Sequence, residues 1–166
     1  KSSVIPDMPD RCLARWAARA ARALLAGLAV ASAVHAAEPL PLQRVADNVW
    51  FVQGEAALGS PANRNFISNA GFVVTPEGVV VIDALGSPAL AHDLVAAVRR
   101  VTPLPIRHVI VTHYHADHVY GLQVFQALGA SIIAHGDGRT YLNSDTAQLR
   151  LAASREELAP WVDADT

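Results

Sequence analysis

Four side chains able to bind a metal lie within residues 113–118, whose sequence is HYHADH. They are His113, His115, Asp117 and His118, and imidazole and carboxylate groups suit zinc and neighbouring first-row metals. The preceding run IRHVIVT is rich in β-branched residues, which predicts a strand. Because side chains two apart in an extended chain point the same way, the first two histidines can converge on one ion. The other two ligands, on the turn that follows, can face the same hollow. The pattern therefore predicts a metal site rather than a solvated histidine-rich loop.

Three further side chains are candidates for the same region. Asp83 ends the apolar run VVVI, and a carboxylate at the end of a buried strand is costly to bury without a partner. It could accept a hydrogen bond from a metal-bound histidine and fix the tautomer of that ring, or it could be a simple turn or capping residue. Tyr120, just after the cluster, could reach the same rim or pack in the core. His135 follows the apolar run SIIA and could also reach the pocket.

The elements that must position these side chains alternate between strand and helix. The tetrapeptide TPEG predicts a hairpin turn, and Ser87 and Pro88 suit the N-cap and first position of a helix. This order predicts an α/β domain with right-handed crossovers, in which ligands gather at the carboxyl ends of strands. The loop 54–65 could flank that pocket or be a plain surface connection. The predicted strands are 49–53, 66–75, 79–84, 106–112 and 131–134, and the helices after the first are 119–128 and 141–153.

Composition limits the classes of function. The chain has 166 residues, which is enough for one domain with a hydrophobic core. Its net charge is −2 and its basic residues are scattered, which argues against nucleic-acid binding. The single cysteine, Cys12, allows no disulfide within the chain.

The N-terminus is typical of an export signal. Basic residues precede the uncharged apolar segment 23–34, which is too short to span a bilayer. Val34-His35-Ala36 places small residues where a signal peptidase needs them, so we expect cleavage after Ala36, with Met8 as the start. An amphipathic or buried helix is the alternative. We therefore expect 1–36 to be an N-terminal extension and secretory signal peptide, 37–166 to be the domain, and the mature protein to be periplasmic and not membrane-spanning.

From about Val49 onward the chain resembles the metallo-β-lactamase superfamily. The resemblance rests on the apolar strand ending at Asp83, the stretch THYHADH, the following Gly121 and the strand up to His135. Within that superfamily, the run THYHADHVYGLQVF and the export signal are most similar to the quinoprotein relay system zinc metallohydrolases. The resemblance implies an αβ/βα sandwich, of which this chain supplies the N-terminal half, with a metal site at the rim between two half-domains.

The resemblance also assigns roles to the residues of the cluster. It implies that His113 and His115 bind a first metal and that Asp117 and His118 bind a second. Asp83 would contact these ligands without binding a metal itself. Asp117 would hold the second metal or orient the nucleophile. The cofactor would be one or two zinc ions, with iron as the alternative. The implied reaction is attack by metal-bound hydroxide on an ester, thioester or lactam-like carbonyl of a small-molecule substrate.

Members of the family are longer than this chain. Their second half supplies another histidine, a bridging carboxylate and a last histidine, and the residues after His118 do not offer that set. We therefore expect this chain to be an N-terminal fragment that is inactive on its own.

Two other functions remain open. Related folds carry iron and oxidise thiol or persulfide substrates. His115 stands where the oxygen-reducing di-iron members place a glutamate, so only a mononuclear iron enzyme of that kind stays in consideration. The protein could instead be a non-catalytic periplasmic accessory of quinoprotein electron transfer, in association with a quinoprotein dehydrogenase or a cytochrome.

Overall fold

The computed structural model describes residues 39–163 and residue 166, so the predicted signal peptide and its cleavage site lie outside the described residues. The described part contains a six-stranded sheet and five helices. No helix in these ranges is long and apolar enough to cross a membrane. The strands are β1 (Leu42–Ala46), β2 (Val49–Val52), β3 (Ala70–Thr75), β4 (Gly78–Ile82), β5 (Ile106–Ile110) and β6 (Ser131–Ile133). The helices are α1 (Pro88–Val101), α2 (Ala116–Val119), α3 (Leu122–Ala127), α4 (Gly136–Leu142) and α5 (Asp145–Glu157).

The strands lie in the sheet in the order in which they occur along the chain. Strands β1 to β4 pair antiparallel, whereas β4, β5 and β6 are parallel. Helix α1 connects β4 to β5, so the carboxyl ends of these two strands meet at one edge of the sheet. The mixed sheet with its helices confirms the predicted α/β class, and the β3–β4 hairpin confirms the predicted turn.

Helix α1 begins as its sequence predicts. The hydroxyl of Ser87 accepts a hydrogen bond from the backbone N–H of Leu90 at 3.3 Å, and Pro88 takes the first helical position. A serine cap of this kind contributes about 1 kcal/mol, because it satisfies an N–H group that has no partner within the helix. Leu90, Leu94 and Val98 recur every four residues and are buried, so this helix packs one apolar face against the sheet.

One face of the sheet forms the hydrophobic core. Phe72, Val81 and Val109 are neighbours on β3, β4 and β5 and are fully buried. Leu94 of α1 and Phe125 of α3 belong to the same core. Burying a side chain of this size contributes about 1.5–3 kcal/mol. The core therefore fixes the strands whose carboxyl ends carry the candidate site.

The opposite face of the sheet carries apolar side chains that lie outside this core. Val80, Ile82, Ile110 and Ile133 alternate with the core residues along β4, β5 and β6. The exposed fraction reaches 39% at Ile110 and 49% at Ile133, so this face is only partly covered within the described residues. Strand β6, at the edge of the sheet, is therefore only partly buried.

Several element boundaries differ from those predicted. Strand β3 begins at Ala70 rather than at residue 66, because Asn65 has a left-handed backbone and the next residues form the end of a loop. The helix predicted over 119–128 is divided into α2 and α3, which are separated by Tyr120 and Gly121. The helix predicted over 141–153 is likewise replaced by α4 and α5.

Candidate metal centre

A tight turn after β4 places Asp83 beside the histidine cluster. Asp83 and Leu85 both have a left-handed backbone, with φ of 61° and 64°. This conformation is uncommon outside glycine and unfavourable for a side chain as large as leucine. Two backbone hydrogen bonds hold the turn: the N–H of Ala84 donates to the carbonyl of His118 at 2.9 Å, and the N–H of Gly121 donates to the carbonyl of Leu85 at 3.2 Å. The end of β4 is thus joined to the segment that carries the cluster.

The carboxylate of Asp83 accepts three hydrogen bonds while only 4% of the residue is exposed. Its Oδ1 accepts from the backbone N–H of Thr112 at 2.8 Å. Its Oδ2 accepts from the Thr112 hydroxyl at 2.7 Å and from Nδ1 of His118 at 2.8 Å. A buried carboxylate is costly unless donors satisfy it, and these three do. Asp83 therefore lies where the sequence placed it, in contact with a histidine of the cluster, and it does more than terminate a strand.

This hydrogen-bond network fixes the tautomers of two histidines. Because an ionised carboxylate only accepts hydrogen bonds, Nδ1 of His118 must carry the proton, which leaves its Nε2 lone pair available. The Thr112 hydroxyl gives its one proton to Asp83, so it accepts at its 3.0 Å contact with Nδ1 of His113. Nδ1 of His113 is therefore also protonated, and its Nε2 is available in the same way. Both rings are prepared to bind a cation through Nε2.

The three imidazole rings of the cluster pack against one another just beyond β5. Ring centroids are 4.6 Å apart for His113 and His115, and 4.1 Å apart for His113 and His118. Nε2 of His118 lies 3.4 Å from Oδ2 of Asp117. Two ligands of a tetrahedral zinc ion with bonds near 2.1 Å stand about 3.4 Å apart. This pair is therefore spaced as two ligands of one ion, and the donor set fits zinc.

The cluster does not by itself form a complete metal site. Among residues 39–163 and 166, no three His, Cys, Asp or Glu side chains are arranged to hold one ion. The resemblance assigns the four side chains to metals in pairs, whereas a catalytic zinc usually takes three protein ligands. Metal binding by His113, His115, Asp117 and His118 therefore stays a prediction.

The close packing of the rings affects their protonation. Burial lowers the pKa of His113 below its usual value of 6.5, and the nearby His118 and His115 lower this pKa further. The carboxylates of Asp83 and Asp117 act in the opposite direction. The neutral form of His113, which is the form that binds metals, is therefore favoured near neutral pH.

A loop on the other side of the cluster contributes Ser68, for which no sequence pattern predicts a role. The Ser68 hydroxyl donates a short hydrogen bond to the backbone carbonyl of Asp117. Asn65 of the same loop donates from Nδ2 to the carbonyl of Gly86 at 2.8 Å. Ser68 and Asn65 are both buried, so water does not compete for these bonds. Leu58, Gly59 and Asn65 line a second hollow together with Asp117, so residues 54–65 flank the cluster, which is one of the two roles predicted for them.

Arg64 connects this loop to distant elements. Its guanidinium pairs with Asp93 of α1 at 2.6 Å and lies over the ring of Trp161, 4.9 Å from the centroid. The indole N–H of Trp161 donates to the carbonyl of Pro61 at 2.8 Å. The loop is thereby fixed to α1 and to the turn after α5.

A hollow of about 470 Å³ opens beside the cluster. His115 and Asp117 form the wall that it shares with the cluster, and Tyr120 lines it as well. The hydroxyl of Tyr120 donates to Oγ of Ser154 at 3.2 Å. Tyr120 thus lines the hollow, as one of its two predicted roles requires, and it makes a structural hydrogen bond, but it is not among the described residues of the hydrophobic core.

His135 is not brought to the cluster. Its side chain is 82% exposed, its Nδ1 accepts a hydrogen bond from the backbone N–H of Asp137, and the Asp137 carboxylate lies 3.5 Å from that nitrogen. It begins helix α4 as an N-cap residue. The expectation that His135 reaches the pocket is therefore wrong, because it faces solvent.

Two residues of the site had no role assigned from the sequence. Thr112 could have been found, because its hydroxyl directly precedes the first histidine at the end of a strand. Ser68 could not, because 49 residues separate it from Asp117 and only the folded chain brings them together.

The chain was also compared with known families and structures. The profile of the metallo-beta-lactamase superfamily matches residues 63–158. The linear primary-alkylsulfatase of Pseudomonas sp. (strain ATCC 19151) is 28% identical over 69 residues, which cover 42% of this chain and 13% of that enzyme.

Two solved structures resemble the fold. A metallo-beta-lactamase from Pontibacter korlensis superposes with a TM-score of 0.54 at 19% identity, covering 64% of this chain and 48% of that one. A B3 metallo-beta-lactamase with an active-site glutamic acid gives a TM-score of 0.50 at 28% identity, covering 64% of this chain and 36% of that one. The chain thus matches less than half the length of each of these relatives.

The matched region 63–158 contains Asp83, Thr112 and the whole histidine cluster, and it makes up more than half of the chain. The profile match and the shared fold confirm the resemblance to this superfamily, and the narrower resemblance to the quinoprotein relay metallohydrolases stays a prediction. The chain belongs to the metallo-beta-lactamase superfamily.

Proposed function

We propose that this chain provides the metal-binding part of a zinc-dependent hydrolase. The observation that carries the proposal is the hydrogen-bond network of Asp83, which accepts directly from His118 and reaches His113 through Thr112. A network that protonates Nδ1 and leaves Nε2 unprotonated on two adjacent histidines is what a metal site needs from its supporting residues. A solvated histidine-rich loop would need no such network.

The four side chains of the cluster have distinct tasks in this proposal. His113 and His115 would hold a first zinc ion, and Asp117 and His118 would hold a second. Zinc bound there would supply Lewis acidity, polarising the scissile bond and lowering the pKa of water. Asp117 would also orient the water that attacks the substrate. Asp83 would keep His118 in its binding tautomer.

The bond that is hydrolysed would be an ester, a thioester or a lactam. Two relatives favour electrophilic centres of this general kind, one named as an alkylsulfatase and the other as a β-lactamase. A sulfate ester therefore joins the candidates. The finer assignment to the quinoprotein relay zinc metallohydrolases, with export to the periplasm and association with a quinoprotein dehydrogenase or cytochrome, is part of the same proposal.

The test is metal analysis and turnover of the purified full-length gene product. We expect stoichiometric zinc, and hydrolysis of at least one member of a panel containing an alkyl sulfate, a carboxylic ester, a thioester and a β-lactam. His115→Gln should abolish turnover and release zinc. His92→Gln provides the matched control, because His92 is an exposed histidine on α1 away from the cluster.

Three results would contradict the proposal. Stoichiometric iron with thiol or persulfide oxidation would make the protein an oxidoreductase. Full zinc content with no turnover across the panel would favour the non-catalytic accessory. Equal turnover in His115→Gln and His92→Gln would remove the cluster from the reaction.

A further inference from the structure

The hollow beside the cluster has a lining that indicates what it accepts. It is formed mainly by α3, α4 and α5, and its volume of about 470 Å³ lies within the range of about 300–1,000 Å³ that is usual for small-molecule sites. Leu122, Leu142 and Leu151 line it, and each of these side chains is partly exposed. The hollow is therefore open to solvent, and apolar side chains form a large part of its wall.

Two of the three tyrosines that line the hollow, Tyr114 and Tyr141, lie together in its wall. The rings of Tyr114 and Tyr141 are in tilted contact, with centroids 4.3 Å apart. Tyr114 also meets the ring of His115 edge to face at 5.3 Å. Because His115 belongs to both the hollow and the cluster, a molecule seated against these rings would have its other end at the cluster.

The charges around the hollow do not select an ion. Among the described residues that line it, Asp117 and Arg150 are the formally charged side chains, and their charges are opposite. Nη1 of Arg150 lies 3.8 Å from Oε2 of Glu157 on the same helix, so part of its charge is already offset. The lining otherwise presents leucine, tyrosine and glutamine. An uncharged apolar group suits it better than an anion does.

We infer that this hollow binds an uncharged alkyl or aryl group of the substrate and directs the attached bond toward the cluster. The inference rests on the proposed function for its purpose but not for its test, because binding can be measured without turnover. It defines the substrate class as molecules that join a hydrolysable bond to a compact apolar group.

The test is a titration of methyl-labelled protein with hexan-1-ol, followed by NMR. We expect saturable shifts at the methyl groups of Leu142 and Leu151, and hexanoate should bind no more tightly than the alcohol. Leu151→Gln should weaken the binding of hexan-1-ol about tenfold, the loss expected when one apolar wall is removed. Leu149→Gln is the matched control, because Leu149 is 73% exposed on the same helix and does not line the hollow.

Three outcomes of this titration would contradict the inference. Shifts confined to Ile110 and Ile133 would place the alcohol on the open sheet face and overturn the inference. Tenfold tighter binding of hexanoate would make the hollow an anion site, and equal losses in the Leu149 and Leu151 variants would remove the hollow from binding. If Leu151→Gln does not fold, the affinity of Leu142→Gln for hexan-1-ol and the set of methyl groups that shift in the wild type provide the test instead. None of these results depends on hydrolysis, so the proposed function stands or fails separately.

Discussion

Replacing Asp83 with asparagine tests how the structure prepares its histidines. The substitution keeps the shape of the side chain, and asparagine tolerates the left-handed backbone of this position as well as aspartate does. The carbonyl oxygen of the amide can still accept from the backbone N–H of Thr112. The NH₂ group, however, would replace the oxygen that now accepts from the Thr112 hydroxyl and from Nδ1 of His118.

The expected magnitude follows from these contacts. An NH₂ group only donates, so two hydrogen bonds to a charged acceptor are lost, each worth about 1.5–3 kcal/mol. Thr112 can turn its hydroxyl and His118 can move its proton to Nε2, which recovers part of the loss. We therefore expect the free energy of unfolding to fall by about 2–4 kcal/mol. With its proton on Nε2, His118 would have to lose or move that proton before it could bind zinc, so zinc affinity should fall about 10–100-fold, as it does when other supporting hydrogen bonds are removed.

Two measurements on the same variant separate these effects. Competition with a chromophoric chelator gives the zinc affinity, and long-range ¹H–¹⁵N correlation spectra of the imidazole show which nitrogen of His118 carries the proton. Asp93→Asn is the control, because it removes a carboxylate that pairs with Arg64 away from the cluster. It should reduce stability and leave zinc affinity within about twofold, since Asp93 contacts no histidine of the cluster.

One combination of results would contradict this role of Asp83. If Asp83→Asn binds zinc as tightly as the wild type, and Nδ1 of His118 is still protonated, then Asp83 does not set the tautomer. The hydrogen-bond network would then be a folding feature with no bearing on a metal.

Three further substitutions test contacts near the cluster and in the hydrophobic core. Ser68→Ala should destabilise the protein by about 1 kcal/mol in denaturant unfolding, because the Asp117 carbonyl loses its donor, and Ser68→Thr should restore the bond. Gly121→Ala should lower stability by about 1–3 kcal/mol or prevent folding, because a Cβ there would overlap the carbonyl oxygen of Ala84; an unchanged thermal midpoint would contradict this. Phe125→Ala should cost about 3–5 kcal/mol in the same assay, since its side chain is fully buried in the core.

The sequence was most informative where local chemistry decides the structure. The hairpin before β4 and the start of α1 follow from turn and capping residues that act within a few positions. The cluster could be recognised because all four candidate ligands lie in one short stretch. Asp83 could be selected because a carboxylate at the end of an apolar strand is costly to bury without a hydrogen-bond partner.

The sequence was least informative where contacts between distant residues decide. The sequence after Asn65 is typical of a strand, but the strand begins only at Ala70. The residues before it form a loop in which Ser68 donates a hydrogen bond to the carbonyl of Asp117. The break between α2 and α3 depends on the close approach of Gly121 to the turn after β4, which no local pattern shows. The prediction that His135 reaches the pocket is wrong. His135 follows a strand, but it also begins α4, and there its side chain faces solvent.

The position of Trp161 gives the protein a built-in optical signal. Its indole lies against the guanidinium of Arg64 and donates to Pro61, so its emission depends on the loop that also carries Ser68. Trp50 stacks on Phe72 in the sheet and should be insensitive to that loop. In a variant that keeps Trp161 as its one tryptophan, a change in fluorescence during a zinc or substrate titration would report movement of the loop without any attached dye.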